Sequence, residues 1–159
     1  MAEPGGISVH RPSDKASLIE SLLKTSEHGV FATYRDELVF SAALGWSQGR
    51  KEPFDNSGGL IEWSTMINRF GSEDLIDVIA YSDSQDPEIL DPKRLPERLR
   101  IFEAYANGGL SIIQELMGRE ALTPGEAVVR LVSRQTEDPN TSDSGFTPDL
   151  RDLGKVLGL

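Results

Sequence analysis

The residues of this chain that could do chemistry are few and widely spaced. Gly45-Trp46-Ser47-Gln48-Gly49 matches the G-x-S-x-G pattern of a hydrolase nucleophile elbow. That elbow needs a strand before its serine and a histidine base later in the chain. Here the run closes a helical pattern, and both histidines, His10 and His28, come earlier. Asp91-Pro92-Lys93 resembles half of a metal-dependent nuclease motif, with Asp77 or Asp86 as the imaginable second acid. Such acids normally sit on adjacent strands that converge on a divalent ion. A proline-flanked loop between helices reads as a solvated turn instead. Neither histidine has a second one at helical or hairpin spacing, so a histidine metal site is not indicated. Gly58-Gly59 and Gly108-Gly109 lack the lysine-serine pair of a phosphate loop. With no cysteine in the chain, disulfides, thiolate metal sites, iron–sulfur ligation and a cysteine nucleophile are excluded together. The expectation is a protein that is not an enzyme, with no catalytic, cofactor-binding or metal-binding residue to name.

The elements around these residues are better defined. Leu38, Val39, Phe40, Ala42, Ala43, Leu44 and Trp46 fall on every side of a 3.6-residue repeat, which predicts a buried helix with Thr33 as N-cap. Before it, Ile7–His10 alternates like a short strand, and Ser13 with Asp14 opens a helix through about Ser26. Residues 52–59 read as a loop, followed by a short extended start and a helix capped by Ser64 within 60–70. A helix from Ser72 to about Ser82 carries Leu75, Ile76, Val78, Ile79 and Tyr81. The stretch 83–96, with three prolines, is a loop with room for one helical turn.

A longer helical stripe spans Glu97–Met117 through Leu99, Phe102, Ala106, Leu110, Ile113 and Met117. Its Asn107-Gly108-Gly109 interruption demands a kink, a helix end or a close backbone contact, because two helical glycines cost about 2 kcal/mol relative to alanine. Thr123-Pro124 opens a last helix through about Gln135. The fold expected is mainly α, a single compact helical domain over 1–135 with a short N-terminal strand or small hairpin. Residues 136–159 then form a polar linker and a short docking segment at Leu150, Leu153, Val156 and Leu157.

Charge layout suggests where partners bind. The 159 residues hold 16 Lys and Arg against 26 Asp and Glu. Residues 1–51 balance six acids with six bases, so the net charge of −10 lies beyond them. A phosphate backbone is repelled by that excess, and any DNA contact falls to Arg11, Lys15, Arg35, Arg50 and Lys51. Arg35 and Arg50 mark the two ends of the buried helix, about 22 Å apart. Strand, helix, turn and helix over 7–46 also follow the order of ribbon-helix-helix DNA binders, which dimerise by pairing strands. The competing reading, which the poor base-reading set of Ser8 and His10 favours, pairs that strand within the chain, for instance with Gly59–Glu62. A second surface, Glu103, Tyr105, Asn107, Gly108 and Gly109, serves either a protein partner or packing inside the chain. No stretch of about 18 apolar residues and no signal peptide is present, so a cytoplasmic location without membrane contact is expected.

Four blocks carry a family resemblance: Phe31–Trp46; Gly49-Arg50-Lys51-Glu52-Pro53; Asp86-Pro87-Glu88-Ile89-Leu90; and Phe102–Leu110. In order and spacing they resemble the DNA phosphorothioation (Dnd) system-associated protein 4 family over residues 5–133, with the tail after Thr136 outside. The resemblance implies a small accessory protein encoded beside DNA-sulfur modification and restriction genes, hence a role in anti-phage defence. It carries over no catalytic residue. The expected function is a non-enzymatic accessory subunit acting through contacts with other proteins of such a complex, with DNA contact as an addition and a homodimer left open. The alternative is a ribbon-helix-helix-like DNA-binding regulator using the N-terminal third.

Overall fold

Thr33 begins the central element as its residue type demands. Its side chain accepts the Asp36 backbone N–H at 3.1 Å, and helix α2 then runs Tyr34–Ser47. Every residue from Arg35 to Gly45 is buried, so α2 threads the interior of the fold, as its unbroken apolar run predicts. The structure is a computed structural model that describes residues 6–137. Around α2 the elements follow in the order β1 (Ser8–Pro12), α1 (Ala16–Leu22), α2, β2 (Ser57–Glu62), α3 (Trp63–Ile67), α4 (Ser72–Ser84), α5 (Leu95–Glu120) and α6 (Pro124–Glu137). Short 3-10 turns occupy Ser13–Lys15, Pro87–Leu90 and Pro92–Arg94. The fold is mainly α with one small antiparallel hairpin-like sheet.

The sheet decides between the two readings of the first strand. β1 pairs with β2 of the same chain, Ser8 opposite Glu62, Val9 opposite Ile61 and His10 opposite Leu60. Alternation places Val9 and Ile61 in the core and leaves Leu60 out. The backbone N–H of His10 donates to the Glu103 carboxylate on α5 at 3.1 Å. The ribbon-helix-helix alternative therefore does not describe this strand, whose partner is β2.

Several boundaries differ from those predicted, each for a tertiary reason. α1 stops at Leu22 rather than Ser26 because the backbone N–H groups of Val30 and Phe31 donate to the Leu22 carbonyl, at 2.9 and 3.0 Å. Gly29 is needed in that return, since a β-carbon there would lie 1.7 Å from the Leu23 carbonyl oxygen. Ser64 caps nothing; α3 follows directly from β2 with Glu62 before its first turn. α4 extends to Ser84 and ends where Gln85 turns left-handed, φ 55°. α5 runs through Asn107-Gly108-Gly109 without interruption and starts two residues earlier than its stripe suggests, with Pro96 in its first turn. Thr123 and Glu126 exchange hydrogen bonds in a capping box, Thr123 N–H to Glu126 at 2.8 Å and Glu126 N–H to the Thr123 hydroxyl at 3.3 Å.

The main core gathers Leu22, Phe31, Leu38, Leu44, Ile76, Ile79, Phe102, Leu110 and Ile113 between α1, α2, α4 and α5. Phe31 and Phe40 pack with ring centroids 5.3 Å apart. The linker and docking segment expected over 136–159 lie outside the described residues, apart from the last turn of α6.

Candidate functional site

The partner set named from the sequence and three of the five cations, Lys15, Arg50 and Lys51, meet at one place, the crossing of α2 and α5. Gly45, Gly108 and Gly109 make that crossing a contact between backbones. A β-carbon on Gly45 would sit 2.1 Å from the Tyr105 carbonyl oxygen, and one on Gly109 would sit 1.8 Å from that of Ser41. On Gly108 it would meet the Arg50 carbonyl oxygen at 1.9 Å. Of the three solutions open for Asn107-Gly108-Gly109, the close backbone contact is the one observed. Residues 50–52 then lie along α5: the Glu52 N–H donates to the Ala104 carbonyl, and the Asn107 amide donates to the Glu52 carbonyl, both at 2.9 Å.

Lys15, Arg50 and Lys51 join the same seam, whereas Arg11 and Arg35 sit elsewhere. Lys15, only 6% exposed, donates to the Asn107 side-chain oxygen at 3.1 Å. Arg50 reaches both Glu115 oxygens, at 2.6 and 2.7 Å, and Glu52 at 2.7 Å, contacts that raise its already high pKa. Lys51 donates to Asp83 at 2.9 Å, and Asp83 also accepts the Tyr105 hydroxyl at 2.8 Å. Burial, with that carboxylate next, pushes the Tyr105 hydroxyl up to about 12. Arg11 lies 3.8 Å over the Tyr34 ring and 4.0 Å from Glu20. Arg35 is 9% exposed, paired with Asp36 at 3.2 Å and donating to the Thr65 carbonyl. Each of the five basic residues thus already holds a carboxylate, amide or ring of its own chain. Glu103, Tyr105 and Asn107 are all buried as well.

Two carboxyls stand apart. Glu37 has no exposed surface, and neither of its oxygens has a hydrogen-bond partner; Ser41, one turn later, is buried and unpartnered too. Burial pushes the Glu37 carboxyl up to about 8. Glu103 borders a cleft of about 340 Å³ with Ser8, His10, Asp55 and Arg100, and burial pushes it up to about 7 against the opposing His10 N–H. That carboxyl can exchange a proton near neutrality. The Ser8 hydroxyl, however, donates to the Gly6 carbonyl.

The weaker sequence motifs resolve into structure. Gly45 is inside α2, and the Ser47 hydroxyl donates to the Leu44 carbonyl at 2.8 Å. Asp91 accepts the Lys93 N–H, Asp86 pairs with Arg94, and Asp77 pairs with Arg98 at 2.9 Å. Those three acids serve three separate contacts. Among the described residues, no cluster of three or more His, Cys, Asp or Glu has metal-binding geometry. No described helix is long and apolar enough to cross a membrane.

The model of the family described as DNA sulphur modification system-associated protein 4 matches residues 8–152. The chain belongs to that family. The match reaches further than the resemblance seen in the sequence: it includes most of the tail after Thr136, which the four blocks left outside. No curated protein and no solved structure matches the chain. Membership associates the protein with a DNA sulphur modification system.

What sequence reading missed lies on the outside of α4. Trp46, Val78, Tyr81, Ser82, Gln85 and Leu90 line a groove of about 640 Å³. Trp46 donates its indole N–H to the Ser82 hydroxyl at 3.1 Å, which sets the ring as one wall. The signal was present in the α4 pattern: at 100° per residue its apolar positions cover an arc of about 220°, wider than the single stripe a packed helix needs. Leu75, Ile76 and Ile79 face inward, and Val78 and Tyr81 are left at 40% and 44% exposure.

Proposed function

We propose that this protein is a non-enzymatic accessory subunit of a DNA sulphur modification system, linked to restriction and anti-phage defence, that works by contact with other proteins of the system. The observation that carries this reading is the engagement of the five cations named for DNA contact. A phosphate backbone approaching Arg11, Lys15, Arg35, Arg50 or Lys51 has to displace groups already seated on them, while the remaining chain presents an acidic excess. Buried Lys15 and Arg35 have little surface to offer a ligand at all. The apolar face on α4 supports a protein-contact role in addition.

Affinity purification of the tagged protein from its native host, with nuclease-treated and untreated lysates side by side, tests the reading. Partners encoded by the modification system that persist after nuclease support it. Partners that vanish with the DNA overturn it. A gel-shift salt series on the Arg50→Ala/Lys51→Ala protein, which changes the two more exposed ion pairs, supplies the complementary result: the reading expects no change in DNA affinity or salt slope.

A further inference from the structure

Three carboxyls are buried among the described residues, and their surroundings differ. Asp36 is held by two arginines of its own chain, Arg35 and Arg69, each at 3.2 Å. Glu37 is sealed inside the core. Glu103 is buried too, yet among the described residues its carboxylate accepts only the His10 backbone N–H, at 3.1 Å, and touches no cation. Arg100, one turn earlier on α5, is exposed; its charge acts on Glu103 through space without forming an ion pair. A buried carboxylate is ordinarily paired with a cation in direct contact, as Asp36 is. Glu103 lacks that partner, and burial has pushed its carboxyl up to about 7 as a result.

Unlike Glu37, Glu103 can be reached from outside. It lines two adjoining clefts, of about 340 and 400 Å³, which share Phe54, Asp55 and Arg100. The groups facing them are mostly acceptors. The Ile7 carbonyl accepts the Trp63 N–H at 2.9 Å, so strand alternation turns the Ser8 carbonyl away from β2, to the side on which the His10 N–H meets Glu103. Asp55, exposed and bordering both clefts, adds a second carboxylate. Asp83 and Glu97, which border the wider cleft, are already occupied by Lys51 and Arg94. Half-buried Phe54 supplies an aromatic ring common to both clefts. Among the described residues these acids form no metal cluster. Carboxylates and a carbonyl beside an aromatic ring complement a guanidinium, which is planar, carries donors only and stacks on rings. Exposed Ile7 and Pro96 border the narrower cleft and give a protein surface apolar area to bury around that charge. The acidic excess of the chain attracts a basic surface to it.

We propose that these clefts receive an arginine side chain of a protein partner, which enters beside Phe54 and takes Glu103 as its counter-ion. This rests on the protein-contact reading above and names its chemistry. Its test uses the purified full chain alone, so failure here leaves the nuclease comparison untouched, and partners lost with nuclease would not alter this result.

The probe is the blocked tripeptide acetyl-Gly-Arg-Gly-amide, with the uncharged citrulline peptide of the same shape as control. Titration followed at the His10 backbone amide resonance should show saturable binding of the arginine peptide and about tenfold weaker binding of the citrulline peptide. Glu103→Gln keeps an acceptor for His10 but loses the charge, and should weaken the arginine peptide by about tenfold. Arg100→Gln removes a nearby like charge and should tighten the same peptide by about threefold. Effects of opposite sign one turn apart do not arise from a general loss of structure. Equal affinity for the two peptides, a His10 resonance that does not move, or no tightening in Arg100→Gln overturns the proposal. Agmatine binding about tenfold more tightly than the tripeptide also overturns it and assigns the clefts to a small guanidinium compound.

Discussion

The α2–α5 seam and the outer side of α4 use the same residue types to opposite ends. In the seam, Tyr105 is 9% exposed and its hydroxyl donates to Asp83; on α4, Tyr81 is 44% exposed beside the Trp46 ring. The seam joins distant parts of the chain through glycine backbones and paired polar groups, as in Lys15 with Asn107, 92 residues apart, and Arg50 with Glu115, 65 apart. The α4 face leaves Val78 and Tyr81 at 40% and 44% exposure. Residue type alone therefore does not distinguish a surface for a partner from a surface for the fold; the neighbour brought by the rest of the chain does.

The largest test of that contrast is Gly109→Ala. Its β-carbon would have to push back the Ser41 backbone, and overpacking at a site that cannot yield costs about 3 kcal/mol or more, read as a lower urea midpoint. Gly118, in the same helix, has nothing within 4 Å, so Gly118→Ala should instead stabilise by about 0.5–1 kcal/mol. Equal effects at the two glycines would break the distinction between seam and surface.

Glu37→Gln sharpens it next. The folded chain holds the Glu37 proton up to about pH 8, whereas an unperturbed glutamate releases it near 4.5. The contribution of this carboxyl to stability is thus fully present below pH 4.5 and declines by about 1.4 kcal/mol per unit as pH rises toward 8. The glutamine variant lacks that decline, so its stability relative to the parent should rise with pH, by on the order of 3 kcal/mol between pH 4.5 and pH 7. Denaturation at pH 5 and pH 8 measures it, and a pH-independent difference would show that Glu37 finds a partner in solution.

Asn107→Ala removes the bridge between Lys15 and the Glu52 carbonyl and leaves a buried ammonium with one fewer acceptor. A loss of about 1–3 kcal/mol is expected. The smallest effect belongs to the outer face: Val78→Ser should change stability by less than about 0.5 kcal/mol if only solvent covers it. A larger loss there would show that something other than solvent covers this face.

Much of the fold was legible because its signals are local. The Thr33 cap, the Thr123-Pro124 start, the all-round apolar run of α2 and the stripe of α5 each depend on residues within a turn or two of one another. The candidate site was named in its residues but not in their mutual contacts. Lys15, Arg50 and Lys51, which suggested DNA, and the glycines that suggested a partner meet in one internal contact, a fact invisible at their separate positions in the chain. Glu37 escaped notice because a glutamate in the first turn of a helix ordinarily complements the helix dipole in solvent.

By itself, then, the amino-acid sequence determined the helical class, the capped starts of α2 and α6, the exclusion of cysteine chemistry and the family. The tertiary structure alone decided that β1 pairs with β2, that Gly108 and Gly109 continue α5 instead of ending it, and that Lys15 and Arg35 are buried. The physical reason is range. Caps and periodicities are free energies of neighbouring residues, whereas strand partners, backbone crossings and the desolvation of a charge depend on which distant segment arrives, and that is settled only when the whole core closes.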